Sequence, residues 1–397
     1  MSSSRPIVRV LFRVAGGRRL GFGHIARALS LARAMEAPAV LSVRGTRETR
    51  AIARRMGART LPSSMVAALA RSRPALVVID DPDTTAARQA LALCRRHGAR
   101  VASVHDLAIA SIPSDIAIDG SIVRRGPLDA AASLTGSRYA ILDPRLMTFA
   151  ARSGRGHASG EPSTSVRALR GEAGVDGGAD SGAAKRARVE AARVTSAAAP
   201  RPRIVVSLGG GPRRALALRI AQSVKRAHPG ADVVFAGGFA ALSAGPRSIP
   251  GLVPLESAAN PIGAGSAADA AVRWLATPDA FRPELARADV AVLAGGVSLY
   301  EAAALGVAAV ALAVVPAQGP TVRGFAARRA VLNAGAVADG RSAGAATAIA
   351  AAVTRRVTRL LDDERLRRRI ARRARGLVDG RGAWRVASAL RDLVTAS

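Results

Sequence analysis

The chain has 397 residues, 49% hydrophobic and only 3% aromatic, with one cysteine and a formal net charge of +31. This length and apolar content exclude a disordered chain and allow two domains with cores of their own, and the lone Cys94 excludes an intrachain disulfide framework and a cysteine-based zinc site. The positive charge is spread along both halves, almost all of it arginine, without the aromatic-laced patch of a nucleic-acid binder, so it reads as a solvated surface whose field attracts anionic substrates.

In chain order, the apolar run 7–12 predicts a buried strand. Gly21-Phe22-Gly23-His24 then forms a glycine-rich turn that carries a histidine to the start of a helix over 28–35. Further strands are expected at 76–79, ending in Asp80-Asp81, at 100–104, ending in His105-Asp106, and at 116–118. Their alternation with helical patterns predicts a parallel sheet covered on both faces. Residues 151–200 are rich in Gly, Ser, Ala and Arg and read as a flexible insert or linker. A second α/β unit opens with a strand over 203–208, the turn Gly209-Gly210-Gly211-Pro212 and a helix over 215–226. A strand at 233–236 follows, then a loose stretch at 241–270. A strand ending at 294 leads through Gly295-Gly296 into a helix opened by 297–301. The apolar run 302–317 contains Gly306 and Pro316, so it reads as a buried helix turning into a strand and not as a membrane span. The basic run Arg365 to Arg375 has helical spacing and reads as an exposed face of a C-terminal helix that packs back near the domain junction. No basic, hydrophobic leader precedes the first strand, so a cytoplasmic protein is expected. The expected organisation is an N-terminal Rossmann-like domain over 1–150, a linker over 151–200 and a second Rossmann-like domain over 201–397, with a ligand cleft between the two.

The chemistry concentrates at strand ends. His24 sits at a helix N-terminus beyond a strand, where α/β sheets bind ligands, and histidine is a base near neutral pH. Its alternative is a turn residue or helix cap. Gly209, Gly210 and Gly211 can present backbone N–H groups to a diphosphate, or make an ordinary tight turn. Gly295 and Gly296 open a second helix start, with Ser298 and Glu301 just inside it. Glu301 can accept hydrogen bonds from ribose hydroxyls, or close a capping box on Ser298. Asp80, Asp81, Asp106 and Asp143 are candidates for acid–base assistance or for helix caps. No cluster has metal-ligand spacing, and no Walker glycine–lysine loop is present.

Together and in this order, the pieces resemble a known family. They are Arg13-Val14-Ala15-Gly16-Gly17, Leu20 to His24 with Arg27, Val78-Ile79-Asp80, His105 to Ala108, Ser114-Asp115-Ile116, Gly136 to Leu142, Val206 to Gly211, Ala288 to Glu301, Leu305-Gly306, Gln318 and Val378 to Val386. The chain resembles the UDP-sugar hydrolases of pseudaminic acid biosynthesis and their relatives in surface and spore-coat polysaccharide synthesis. That family is related to the peptidoglycan transferase that adds N-acetylglucosamine to a lipid-linked acceptor. The resemblance implies two Rossmann-like domains in the glycosyltransferase-B fold, a UDP-sugar in the cleft, no metal and no cofactor. It implies that His24 activates water, that the glycines at 209–211 and 295–296 hold the diphosphate, and that Glu301 holds the ribose. Arg13, Gly21, Gly23, Arg27, Ser298 and Gln318 complete the implied substrate contacts. The chain departs from the family at Ala15, where an acid is frequent, and at Ala317, where Asn is frequent. Other expectations consistent with the residues are an inverting glycosyltransferase with the same donor, and a nucleotide-sugar binder without turnover.

Overall fold

A computed structural model of the chain describes residues 9–17, 20–105, 111–123, 126–152, 201–209, 213–237, 252–254, 271–275, 278–337 and 343–396. They build two seven-stranded, wholly parallel sheets. The first contains β1 (Val10–Ala15), β2 (Val40–Arg44), β3 (Arg59–Leu61), β4 (Leu76–Asp80), β5 (Arg100–Val104), β6 (Ser114–Asp119) and β7 (Ala130–Thr135). Its helices are α1 (Gly23–Ala34), α2 (Arg47–Arg55), α3 (Met65–Ser72) and α4 (Thr84–Arg96), and α5 (Leu146–Arg152) follows them in the chain but packs into the core of the second unit. The second sheet contains β8 (Arg203–Ser207), β9 (Asp232–Ala236), β10 (Leu252–Pro254), β11 (Val272–Leu275), β12 (Val290–Ala294), β13 (Ala308–Ala313) and β14 (Leu332–Ala336). With it come α6 (Arg214–Ala227), α7 (Phe281–Arg287), α8 (Val297–Leu305), α9 (Gly319–Ala327), α10 (Ala343–Asp362), α11 (Glu364–Leu377) and α12 (Gly382–Thr395).

The central strands are unbroken buried runs, such as Leu76-Val77-Val78-Ile79 and Val290-Ala291-Val292-Leu293, because helices cover both faces of each sheet. Polar caps start several helices. Thr46 accepts from the Thr49 N–H ahead of α2, Asp83 from Ala86 ahead of α4, and Asp363 from Leu366 ahead of α11. Neither α1 nor α8 has a side-chain cap, so their first N–H groups are left for something else.

Strand order places the functional ends. The first sheet runs β3-β2-β1-β4-β5-β6-β7 and the second β10-β11-β9-β8-β12-β13-β14. The order in which strands are added therefore switches sides at β1/β4 in one and at β8/β12 in the other. Those are the points where the connections leave a crevice beyond the carboxyl ends of the strands. The His24 turn follows β1, Asp80 ends β4, Gly209 follows β8, and Gly295-Gly296 follows β12.

The first strand is Val10–Ala15, later than the apolar run 7–12 that predicted it, and residues 7–8 lie outside the described residues. Arg13 lies inside this buried strand because its guanidinium has partners there: it donates to Ser42 Oγ (3.0 Å) and to the Ser63 carbonyl (2.9 Å). Ala15 is consequently the last residue of a buried strand and not part of the loop before the histidine. The helix α5 continues to Arg152, and 153–200 lies outside the described residues, as does most of 241–270.

The C-terminal helices divide their packing. The arginine-rich α11 lies on α8 and β13 with Leu366, Ile370 and Ala374 turned inward and Arg365, Arg368, Arg369, Arg372 and Arg373 outward. Helix α12 crosses to the first unit. Its Ala383, Val386, Ala387 and Leu390 share a core with Ile25 and Leu29 of α1, and Arg391 donates to the Ala34 carbonyl at 2.9 Å. Residues 382–395 thus pack as part of the first unit, although the expected boundary assigned them to the second. A capping interaction from Ser137 Oγ to the Leu377 carbonyl (2.6 Å) and a bond from the Ile122 N–H to Tyr300 Oη (3.0 Å) tie the units together.

Candidate active site

The turn before α1 is built by glycine. Gly21 has φ +77°, a conformation side chains resist, and exchanges backbone hydrogen bonds with Gly17 at 3.1 and 2.7 Å. Gly23 begins α1 with open space where a Cβ would stand. His24 and Arg27 follow three residues apart on one face of the helix, and both meet Asp80 at the end of β4.

His24 Nδ1 lies 2.7 Å from Asp80 Oδ1. Arg27 grips the same carboxylate with Nε on Oδ2 at 2.9 Å and Nη2 on Oδ1 at 2.8 Å. Burial alone would raise the Asp80 carboxyl, but the Arg27 guanidinium and the His24 contact outweigh it and hold it well below the usual carboxylate range. A carboxylate only accepts, so the short contact puts a proton on Nδ1 and leaves the lone pair on Nε2. Arg27 Nη2 also stands 2.8 Å from Nδ1, and its hydrogen serves Asp80. The result is a histidine whose Nδ1 is turned to a buried carboxylate, an arrangement that can support general-base chemistry at Nε2. The Asp80 and Arg27 side chains are almost wholly buried, while His24 keeps 14% of its side-chain surface exposed.

A cavity of about 450 Å³, its open mouth included, lies between the units beside Arg27. Val104, Ile118 and Gly120 from the first sheet face Gly295, Gly296, Val297 and Tyr300 from the second, and the connector residues Tyr139 to Leu142 form another wall. Arg27 is the charged member of this lining.

The second unit presents helix α8. Gly296 is its N-cap, so Ser298 lies within the first turn and the expected Ser298–Glu301 capping box does not form. The N–H groups of Gly295 and Gly296 are already bonded, to the carbonyls of Leu312 (3.1 Å) and Ala294 (2.8 Å). Those of Val297 and Ser298 precede the first intrahelical acceptor and are the donors at this helix start. Gly295 is needed for packing: a Cβ there would stand 2.7 Å from Val322 Cγ2 and 3.0 Å from the Gln318 carbonyl of the adjoining turn. Gln318 is thereby brought against Gly295 and Gly296, with its own Oε1 accepting from the Val314 N–H at 3.0 Å. Gly209 has φ +83°, as a turn after β8 requires, while Gly210 and Gly211 lie outside the described residues.

Glu301 is buried and accepts from Arg282 Nε at 2.7 Å. Arg282 Nη1 reaches Asp143 Oδ2 at 3.2 Å, and Asp143 also takes Arg33 Nη1 and Arg145 Nη2, each at 2.9 Å. Burial would raise the Asp143 carboxyl, yet the Arg145 hydrogen bonds and the charges of Arg282 and Arg33 lower it. Burial likewise opposes the Arg282 charge, and Glu301 and Asp143 more than restore it. The sequence reading missed Arg33, Arg282 and the cavity residue Tyr300 as partners. Only the placement of a basic residue two turns ahead of β12 hinted at Arg282.

Other expected residues lie elsewhere. Arg13 alternates with Phe12 and Val14, which face α1, and so points to the opposite side of the sheet. The structure does not bring it to the cleft, and burial lowers its basicity. Asp81 is held by Arg44 Nε at 2.7 Å and accepts from the Asp83 N–H, a turn role. His105 bonds Ser103 Oγ at 2.6 Å, within a buried cluster that includes Ser114, and Asp106 lies outside the described residues. Among the described residues no helix is long and apolar enough to cross a membrane.

Comparison with known proteins supports this frame. Over the full length, the structure superposes on Acinetobacter baumannii MurG with TM-score 0.55 and 11% identity, covering 97% of this chain and 99% of that one. It superposes on the spinosyn forosaminyltransferase SpnP with TM-score 0.56 and 14% identity, covering 98% and 100%. The spinosyn rhamnosyltransferase SpnG, complexed with thymidine diphosphate, gives TM-score 0.52 and 14% identity over 97% and 100%. The chain has the glycosyltransferase-B fold. In sequence it is 36% identical to the spore coat polysaccharide biosynthesis protein SpsG of Bacillus subtilis (strain 168) over 107 residues. That match spans 27% of this chain and 29% of SpsG. No family model matches the chain.

Proposed function

We propose that the protein hydrolyses a UDP-sugar, with His24 as the base. The observation that carries this reading is the His24–Asp80 pair, clamped by Arg27 at the first switch point of a two-unit nucleotide-sugar fold. Nε2 of His24 takes a proton from water as the water oxygen bonds to the anomeric carbon. The bond from that carbon to the diphosphate oxygen breaks with its electron pair, and UDP leaves as the anion. The first-turn donors of α8 and the turn after β8 receive the diphosphate charge, and Glu301 accepts from the ribose. The partial match to SpsG supports a place in surface polysaccharide synthesis. Because UDP is already a good leaving group, positioning and charge stabilisation suffice without a metal.

A transferase reading draws on one observation: the cavity beside Arg27 opens to solvent, so a hydroxyl acceptor can approach it from outside. Purified protein incubated with a panel of UDP-sugars, with and without candidate acceptors, separates the two. Equal release of UDP and free sugar without acceptor, lost in His24→Ala, supports hydrolysis. Release only with an acceptor establishes a transferase. UDP binding without release in any arm reduces the protein to a nucleotide-sugar binder.

A further inference from the structure

Arg282 is the side chain in which the two units' buried carboxylates meet. Its Nε holds Glu301 on α8 at 2.7 Å, and its Nη1 holds Asp143 of the connector at 3.2 Å. Asp143 is in turn held by Arg33 at the far end of α1, the helix that begins with the His24 turn. A continuous path of ion pairs therefore runs from α1 through the connector to α8. The Glu301 side chain is only 4% exposed, so a competing water shell is largely removed and its carboxylate direction is set by Arg282. Arg282 itself sits on α7, whose Leu285 and Ala286 are packed in the core, so it is a fixed post and not a surface arm.

We propose that Arg282 is a positioning residue for the nucleotide: it aims Glu301 at the ribose hydroxyls and, through Asp143, fixes α8 relative to the connector that walls the cavity. This inference rests on the nucleotide-sugar reading given above and adds to it a residue outside the implied substrate contacts. A guanidinium suits the role because its planar edge donates along two directions at once. An ammonium would serve one carboxylate at the expense of the other. Removing the guanidinium leaves Glu301 and Asp143 without their common donor, and Glu301 is then free to turn away. That change weakens its acceptance from a hydroxyl while leaving the diphosphate donors in place.

The test is calorimetric titration of the full chain with UDP and with 2′,3′-dideoxy-UDP, for the wild type, Arg282→Met and Arg282→Lys, with thermal unfolding of each. A hydrogen bond to a charged acceptor predicts that the wild type prefers UDP by about ten- to a hundredfold. Arg282→Met is expected to bring the two ligands within about twofold by weakening UDP alone, with Arg282→Lys between. A purely structural role would lower the melting temperature and weaken both ligands alike, and that outcome overturns the proposal. So does an undiminished preference in Arg282→Met or, where that variant does not fold, in Arg282→Lys. A wild type that binds no UDP overturns the nucleotide reading itself, and with it this inference. A wild type that binds both ligands equally overturns the ribose role and the inference but leaves diphosphate binding standing. The wild-type arm thus separates the two failures.

Discussion

The two switch points share a topology and differ in how they are furnished. At β1/β4 the crevice is equipped with side chains: a histidine, a carboxylate and a guanidinium locked together within 2.7–2.9 Å. At β8/β12 it is equipped with backbone: an uncapped helix start, glycines packed against a neighbouring turn, and a carboxylate turned inward to an arginine. Proton transfer needs a titratable group held in one state, which takes a built charge cluster. Holding a diphosphate needs many modest donors at a close backbone, which takes small residues. On the proposed reading, one fold used twice separates these demands onto facing surfaces.

Removing His24 is the strongest blow to this division. His24→Ala is expected to lower turnover about 10²- to 10⁴-fold in protein whose urea transition shows it folded. Retained activity would move the chemistry away from the first switch point. Asp80→Asn comes next, because it leaves Arg27 buried without its counter-charge, a loss of about 3–5 kcal/mol in urea unfolding at pH 7. The same pair sets a pH dependence. The native Asp80 carboxyl titrates below its unfolded value, so its contribution is fully present above about pH 4 and shrinks as pH falls further. Unfolding at pH 7 and pH 3 should therefore show Asp80→Asn losing less stability on acidification than the wild type. A parallel loss would locate the acid sensitivity elsewhere.

Smaller effects sharpen the contrast between the two glycine turns. Gly295→Ala drives a methyl onto Val322 and the Gln318 carbonyl, and overpacking of this kind costs about 1–3 kcal/mol. Gly23→Ala meets nothing and needs no unusual φ, so it is expected to hold or raise stability by about 0.4–1 kcal/mol. Its turnover should fall only if a substrate occupies that open space beside Gly23. Unchanged turnover would show that the substrate keeps clear of Gly23.

Most of this frame was legible because buried parallel strands advertise themselves as unbroken apolar runs, and the glycine turns follow them directly. The strands over 76–79, 100–104 and 203–208 fall within one or two residues of those observed. The first strand was misplaced because Arg13 carries a charge where the pattern asks for an apolar residue. Only Ser42 and the Ser63 carbonyl, distant in sequence, explain its burial. The capping box failed by two residues: Gly296 is the N-cap of helix α8, and Ser298 is too far inside to cap. Asp80 was visible as one of several acids, but its selection over Asp81 depends on which side of the strand end faces α1, a property of three-dimensional register. The Glu301–Arg282 pair was hidden because its partners lie on different helices, joined across a strand.

Helix α12 gives the molecule an order of completion. The sheet of the first unit ends at Thr135, yet the apolar face of α1 is completed by Val386, Ala387 and Leu390 of α12. During synthesis the first unit therefore waits, with that face open, while the whole second unit is translated. The last helix then closes it, so the chain segment bearing His24 reaches its final packing only once the partner unit has been made.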